Sequence, residues 1–79
     1  MTRSMHGRRV NRAAIRAALI RLLADQTGPA LARELVTAVY HVTGGDHVGI
    51  GNVSPELRRL AADGLARKTD AGMWEAVPS

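Results

Sequence analysis

The 79-residue chain contains no cysteine and no phenylalanine, and only one tyrosine and one tryptophan. Without cysteine, neither disulfides nor thiolate metal sites supplement a small core, and a reducing cytoplasm is favoured. The scarcity of aromatic rings argues against a platform that stacks single-stranded bases. No apolar run approaches the roughly 18 residues of a membrane span, and no secretory signal follows the basic residues 1–9. We therefore expect one small cytoplasmic (nucleoid-associated) domain with no membrane partner.

Motifs for catalysis and metal binding are also missing. There is no Gly-x-Ser-x-Gly elbow, and the glycines of segments 43–45 and 49–51 lack the lysine of a phosphate-binding loop. His41, Asp46 and His47 do not have the i, i+4 spacing of a helical metal-binding pair. We predict that the protein is not an enzyme and has no metal, no cofactor and no evident small-molecule ligand.

Positive charge is unevenly distributed along the chain. Residues 1–21 contain six arginines and no acid, whereas residues 22–79 contain five basic and seven acidic residues. The net charge of +4 therefore arises near the N-terminus, which favours a polyanionic partner. The alternative is a solvated basic tail that only aids solubility.

Local patterns predict a flexible arm and two helices. Residues 1–10 are polar and aperiodic, which indicates a basic flexible arm before a folded domain at 11–79. Asn11 is the predicted N-cap of a helix from Arg12 to about Asp25. After a break at 26–29, a second helix should run from about Ala30 to Val42, although segment 28–31 also fits a short strand beside a hairpin. The predicted core positions are Ile15, Ala18, Leu19, Leu22 and Leu23 on the first helix and Leu31, Leu35, Val36 and Val39 on the second.

The remaining segment predicts a third helix and a β-hairpin. Ser54 and Pro55 fit the N-cap and first position of this helix, with Asn52 as an alternative start. Its apolar face is Leu57, Leu60 and Ala61, and Gly64 ends it. Residues 65–69 and 73–77 are predicted strands around a turn at 70–72. The side chains expected to cover the helices are those of Leu65, Trp74 and Ala76.

The fold class is therefore mainly α with a small β-hairpin, and the run 51–65 resembles the recognition helix of bacterial winged helix-turn-helix transcription regulators. It is most similar to PadR-like regulators, in which Gly-x-x-Tyr-Pro-x-Leu-x-x-Leu-x-x-x-Gly-Leu is typical. Ser54 stands where that family has tyrosine, and the chain ends at Ser79 without the family's C-terminal dimerisation helix. The PadR-like part covers about fifteen residues, and the winged-helix resemblance covers roughly residues 12–77. The matching positions are Gly51, Pro55, Leu57, Leu60, Gly64 and Leu65.

The resemblance implies three helices plus a wing, with the third helix in the major groove of DNA and the hairpin near the backbone. Residues near a recognition-helix N-terminus reach base edges, where arginine pairs with guanine and asparagine with adenine. A carboxylate such as Glu56 is repelled by DNA unless it meets a cytosine amine. The arm could enter a minor groove or remain disordered. The predicted DNA-binding residues are Asn52, Ser54, Glu56, Arg58, Arg59, Arg67, Lys68, Arg8, Arg9 and Arg12. Arg58 and Arg59 also fit a merely solvated helix face.

These patterns predict a sequence-specific duplex DNA-binding protein, a small transcription regulator acting as a homodimer. Dimerisation is expected because the core is small and such modules pair on palindromic sites. The Ile15/Leu19/Leu22 face or Trp74 could supply the contact, although Trp74 fits the core better, and the sequence does not locate the dimer surface. Two alternatives stay open: an architectural or replication DNA-binding protein of a phage or mobile element, and a winged-helix protein-interaction module.

Overall fold

The structure is a computed structural model that describes residues 11–44 and 48–78. It contains three helices followed by a two-stranded antiparallel hairpin. This confirms the predicted order and a mainly α domain with a small β-hairpin. In the described ranges, no helix is long and apolar enough to cross a membrane. The elements are α1 (Arg12–Asp25), α2 (Ala32–Thr43), α3 (Ile50–Ala62), β1 (Ala66–Lys68) and β2 (Trp74–Ala76).

Helix α1 begins and ends at the predicted residues. The Asn11 side-chain oxygen accepts a hydrogen bond from the Ala14 backbone N–H at 2.8 Å, which satisfies a donor that has no partner within the helix. The predicted stripe of α1 faces the core: Ile15, Ala18, Leu19 and Leu23 are buried, and Leu22 is partly buried. A local cap and a regular apolar stripe thus account for this helix.

Helix α2 begins two residues later than predicted, because the chain before it is extended. The Ala30 N–H donates to the Trp74 carbonyl at 2.9 Å, and the Trp74 N–H donates to the Ala30 carbonyl at 2.7 Å. The short-strand interpretation of segment 28–31 is therefore confirmed as a single bridge to β2. Leu35 and Val39 are buried as predicted, whereas Leu31 is only half-buried at the N-cap.

Helix α3 begins at Ile50, earlier than either predicted start. Asn52 makes its first turn: its side-chain oxygen accepts from the Gly49 N–H at 3.1 Å, and its own N–H donates to the Gly49 carbonyl at 3.0 Å. Pro55 consequently lies inside the helix rather than at its first position. Proline has no N–H to donate, but its fixed φ suits a helix, and the carbonyl one turn earlier belongs to exposed Gly51. Ser54 is therefore not the N-cap.

The buried face of α3 also differs from the predicted one. Val53, Glu56, Leu57 and Leu60 are buried, whereas Ala61, predicted on the apolar face, is exposed. These four buried positions follow the three- and four-residue spacing of one helix face. A glutamate thus occupies a position that lies among aliphatic side chains.

The hairpin is shorter than predicted and buries one face. Its register pairs Ala66 with Ala76 and Lys68 with Trp74, and the side chains of Ala66 and Trp74 are buried. Leu65 was expected to cover the helices, but it is 46% exposed. This prediction is wrong because side chains alternate along a strand, so the burial of Ala66 directs its neighbour Leu65 outward. Trp74 is a core residue, as predicted.

Two glycines of α3 and its C-terminal turn provide a matched test of this backbone. A Cβ added at Gly51 or Gly64 would meet no heavy atom within 4 Å, but Gly64 has a φ of +79°. Gly51→Ala should therefore raise the free energy of unfolding by about 0.5–1 kcal/mol, since glycine inside a helix is unfavourable. Gly64→Ala should lower it by about 1–2 kcal/mol, the cost of the left-handed conformation. Urea unfolding followed by Trp74 fluorescence measures both, and changes of the same sign would contradict the α3 boundaries.

Candidate nucleic-acid interface

The first turns of α1 and one side of α3 meet along an open groove, which we call the α1–α3 groove. It consists of two shallow concavities of about 610 and 290 Å³. Arg12 from α1 and Arg59 from α3 line both of them. Other lining residues are Asn11, Arg16, Asn52, Glu56 and Asp63. The fold thus brings together four predicted DNA-binding residues, Arg12, Asn52, Glu56 and Arg59, from two separate elements.

Glu56 lies beneath this groove and is only 1% exposed. One carboxylate oxygen is 3.0 Å from Arg59 Nη1 and 3.5 Å from Arg12 Nε, and the other is 3.5 Å from Arg16 Nη1. The prediction that Glu56 contacts DNA is contradicted, because its side chain is enclosed by these three arginines on the buried face of α3. A buried carboxylate is costly unless it is paired, and here three guanidinium groups pair it.

Arg16 on α1 contacts both Glu56 and Asp63 on the α3 side of the groove. Its Nη2 atom lies 2.6 Å from Asp63 Oδ2 at the C-terminal end of α3, while Nη1 contacts Glu56. The hydrogen bond to Asp63 raises the pKa of Arg16 above its ordinary value, so this guanidinium stays charged throughout the usable pH range. We call Glu56, Arg12, Arg16, Arg59 and Asp63 the Glu56 cluster.

Sequence reasoning missed Arg16 and Asp63 as site residues. Arg16 is separated from Glu56 by 40 positions and from Asp63 by 47, so no local spacing connects them. The sequence does contain a signal that Glu56 is buried, since it stands three residues after Val53 and four before Leu60 and so shares their helix face. The Val53 part of that signal requires α3 to extend back beyond Ser54.

Arg12 and Arg59 keep much of their donor capacity directed to solvent. Their side chains are 70% and 48% exposed, and each presents a single nitrogen to Glu56 within the described contacts. Arginine carries five N–H donors in a planar fork. Both residues can therefore bind an anion in the groove without leaving Glu56.

The other predicted residues of α3 are placed at or near the surface. Arg58 is exposed, and its side chain makes no ion pair or hydrogen bond with any residue in 11–44 or 48–78. Asn52 is exposed, and its oxygen is used by the Gly49 N–H, which leaves the amide NH₂ as a donor. Ser54 is half-buried. Arg58 and Asn52 are thus available to a partner.

The hairpin offers less uncompensated positive charge than its sequence indicates. Arg67 Nε lies 2.6 Å from Glu75 Oε2 across the hairpin, and Lys68 Nζ lies 5.8 Å from the ring centroid of Trp74. The two cations lie on opposite faces, as strand alternation predicted, but each already has a partner. Asp70 places an acidic residue in the turn. The hairpin is therefore the weaker part of the predicted interface.

The surfaces predicted to form a homodimer are not available. Ile15, Leu19 and Trp74 belong to the core, and Leu22 packs against it. Their predicted role is wrong because the same apolar stripe that builds the domain cannot also contact a second copy. Large apolar side chains are exposed elsewhere, including Leu65 and Val77, which are joined by a Val77 N–H to Leu65 carbonyl hydrogen bond of 3.2 Å.

Two predicted residues, Arg8 and Arg9, lie outside the described residues. Comparisons of the chain with protein-family models, with curated proteins and with solved structures find no match.

Proposed function

We propose that this protein binds duplex DNA through the α1–α3 groove and the adjoining exposed side of α3. The observation that carries the proposal is the placement of Arg12, Arg58 and Arg59. These three guanidinium groups come from two helices, are all exposed and retain unused donors. Arg12 and Arg59 line the groove, and Arg58 is the neighbour of Arg59 on α3. Arginine forks match both phosphate oxygens and guanine edges. Residues 1–10, which precede Asn11 in the chain, contain three further arginines.

The shape of α3 supports an approach to the major groove. A helix with its side chains is about 10–12 Å across, close to the 12 Å width of that groove. The exposed positions around Arg58 are small: Gly51, Ala61 and Ala62 present no bulky side chain. The helix backbone can therefore come close to base edges, and Arg58 is the residue with the reach to contact them.

The fold that we propose is a small winged helix-turn-helix of the type found in bacterial regulators. The Ala30–Trp74 bridge supports this arrangement, because it ties the segment between α1 and α2 to the hairpin beneath the helices. Arg58 and Asn52 then read bases, while Arg12 and Arg59 contact the backbone. One domain has few side chains that can read bases, and this favours a homodimer that binds two half-sites. The exposed Leu65 and Val77 are a candidate contact between the two copies.

One observation favours a second function, that of a protein-interaction module. The outward face of the hairpin carries Leu65, Val77 and the mutually neutralised pair Arg67–Glu75. Such a face suits a protein surface better than a polyphosphate backbone. Loss of partner binding through changes at Leu65 and Val77, with no effect of changes at Arg58, would identify this function instead.

Fluorescence anisotropy of the intact protein with a labelled random-sequence duplex at several salt concentrations tests the proposal. The logarithm of the affinity should fall linearly with the logarithm of the salt concentration, with a slope of about −0.9 for each phosphate contacted. Footprint length then separates a regulator from an architectural protein.

Single variants show which surface of the protein contacts the duplex. Arg58→Ala should weaken binding by about fivefold or more. Arg21→Ala is the matched control, because Arg21 is exposed and stands nine residues after Arg12, on the opposite side of α1. No binding at low salt, or equal losses for the two variants, would overturn the proposal.

A further inference from the structure

The Glu56 cluster has the excess positive charge and the unused N–H donors that a binding site for one phosphate group requires. We propose that Arg12 and Arg59 hold one backbone phosphate of the bound duplex, and that Glu56 positions both arginines without touching the phosphate. This inference rests on the proposed function and names the element that fixes the protein on the DNA backbone.

The first support is the balance of charge within the cluster. Three guanidinium groups face two carboxylates, which leaves one positive charge in excess. Asp63 is engaged by Arg16 at 2.6 Å, so Arg12 and Arg59 have only Glu56 as an acidic partner among the described residues. They share a single oxygen of it, at 3.5 and 3.0 Å. The two most exposed cations are therefore the least compensated.

The second support is the geometry of the unused donors. Arg12 presents Nε to Glu56, which leaves its two terminal nitrogens, and Arg59 presents Nη1, which leaves Nε and Nη2. Both side chains line the same two concavities, of about 610 and 290 Å³. A phosphate oxygen in this groove can thus accept from both arginines while each keeps its contact with Glu56.

The third support is the rigidity of Glu56. Its side chain is 2% exposed and stands between the buried Val53 and Leu60 on α3, so the carboxylate has little freedom to move. Long arginine side chains lose rotamer freedom when they are ordered by a ligand. Because Glu56 already orders Arg12 and Arg59, less of that loss falls on DNA binding. Glu56 is therefore a positioning residue for these two arginines.

Two matched variants separate positioning from simple electrostatics. Glu56→Gln and Asp63→Asn each remove one negative charge from the cluster, but only Glu56 contacts Arg12 and Arg59. If charge alone matters, both variants bind duplex DNA more tightly. If Glu56 positions the arginines, Glu56→Gln binds on the order of fivefold more weakly, whereas Asp63→Asn binds as tightly as the unmodified protein or slightly more tightly.

A double-mutant cycle on duplex affinity shows whether Glu56 acts through the arginines. Arg12→Ala with Arg59→Ala should weaken binding about tenfold and make the salt slope shallower by about 0.9, the value for one phosphate. Adding Glu56→Gln to this pair should then have no further effect, since the groups that it positions are gone. An additive loss would show a general effect of Glu56 on the fold and would overturn the inference.

The possible outcomes distinguish this inference from the proposed function. If the unmodified protein does not bind duplex DNA, both fail. If it binds but Glu56→Gln binds equally or more tightly, only the phosphate site fails. Should Glu56→Gln not fold, as judged by circular dichroism, Arg12→Ala decides the matter, because this side chain is 70% exposed and its removal spares the core. Arg12→Ala must then weaken binding and reduce the salt slope more than Arg21→Ala, and equal effects overturn the site.

Discussion

Replacing Leu57 by alanine should remove a large part of the stability of this domain. Leu57 is fully buried on α3 and belongs to the core that also contains Leu19 and Leu35. A Leu→Ala change at such a site costs about 2–5 kcal/mol, which combines lost burial with the cavity left behind. A domain of this size has a total stability of roughly 4–12 kcal/mol. The loss is therefore a large fraction of the total, and we expect a clearly lower urea concentration at the unfolding midpoint.

Urea unfolding monitored by Trp74 fluorescence and by circular dichroism measures this loss, with Leu65→Ala as the matched control. The substitution is chemically identical, but Leu65 is 46% exposed, so its stability change should stay within about 0.5 kcal/mol. Equal losses for the two variants would show that Leu65 packs on the helices, as its position in the sequence first indicated. The pair thus tests the hairpin register together with the core.

Reversing the charge at Arg58 and Arg59 should reduce duplex affinity by about a hundredfold or more. Each single loss of a base or phosphate contact costs about 1–3 kcal/mol, and a glutamate in its place adds repulsion from the backbone. Arg58→Glu should leave the fold intact, because Arg58 has no partner in the described structure. Arg59→Glu places a carboxylate beside Glu56 and should also lower stability, so folding must be confirmed at the temperature of the binding measurement.

The control for this double variant is Arg21→Glu with Arg33→Glu, which changes the net charge equally. Both control residues are exposed and lie outside the lining of the α1–α3 groove. If duplex affinity depended only on the net charge of the whole protein, it would fall equally in both double variants. Retained duplex binding in the Arg58/Arg59 variant would contradict the proposed interface and direct attention to the outward face of the hairpin.

The interface was only partly predictable from the sequence. Arg58 lies on the expected third helix and Asn52 at its alternative start, and both are exposed, as is Arg12 at the start of α1. Glu56 was misjudged because Ser54 and Pro55 form a strong local signal for a helix start. With α3 taken to begin there, Glu56 falls in the first turn, the part of a recognition helix that reaches DNA bases. The four residues that precede Ser54 in α3 include the buried Val53, which together with Leu57 and Leu60 marks the face on which Glu56 lies.

The sequence by itself determined the elements whose causes are local. The Asn11 cap and the stripe Ile15–Leu23 specify α1, and the residue order around 70–72 specifies the hairpin turn, since these interactions span only a few residues. Tertiary structure alone decided that Ala30 pairs with Trp74, that Leu65 faces outward, and that Glu56 is enclosed by arginines from α1. Those outcomes depend on which distant surfaces meet in the core. A single buried carboxylate can be accommodated only where folding supplies its cationic partners from 40 residues away.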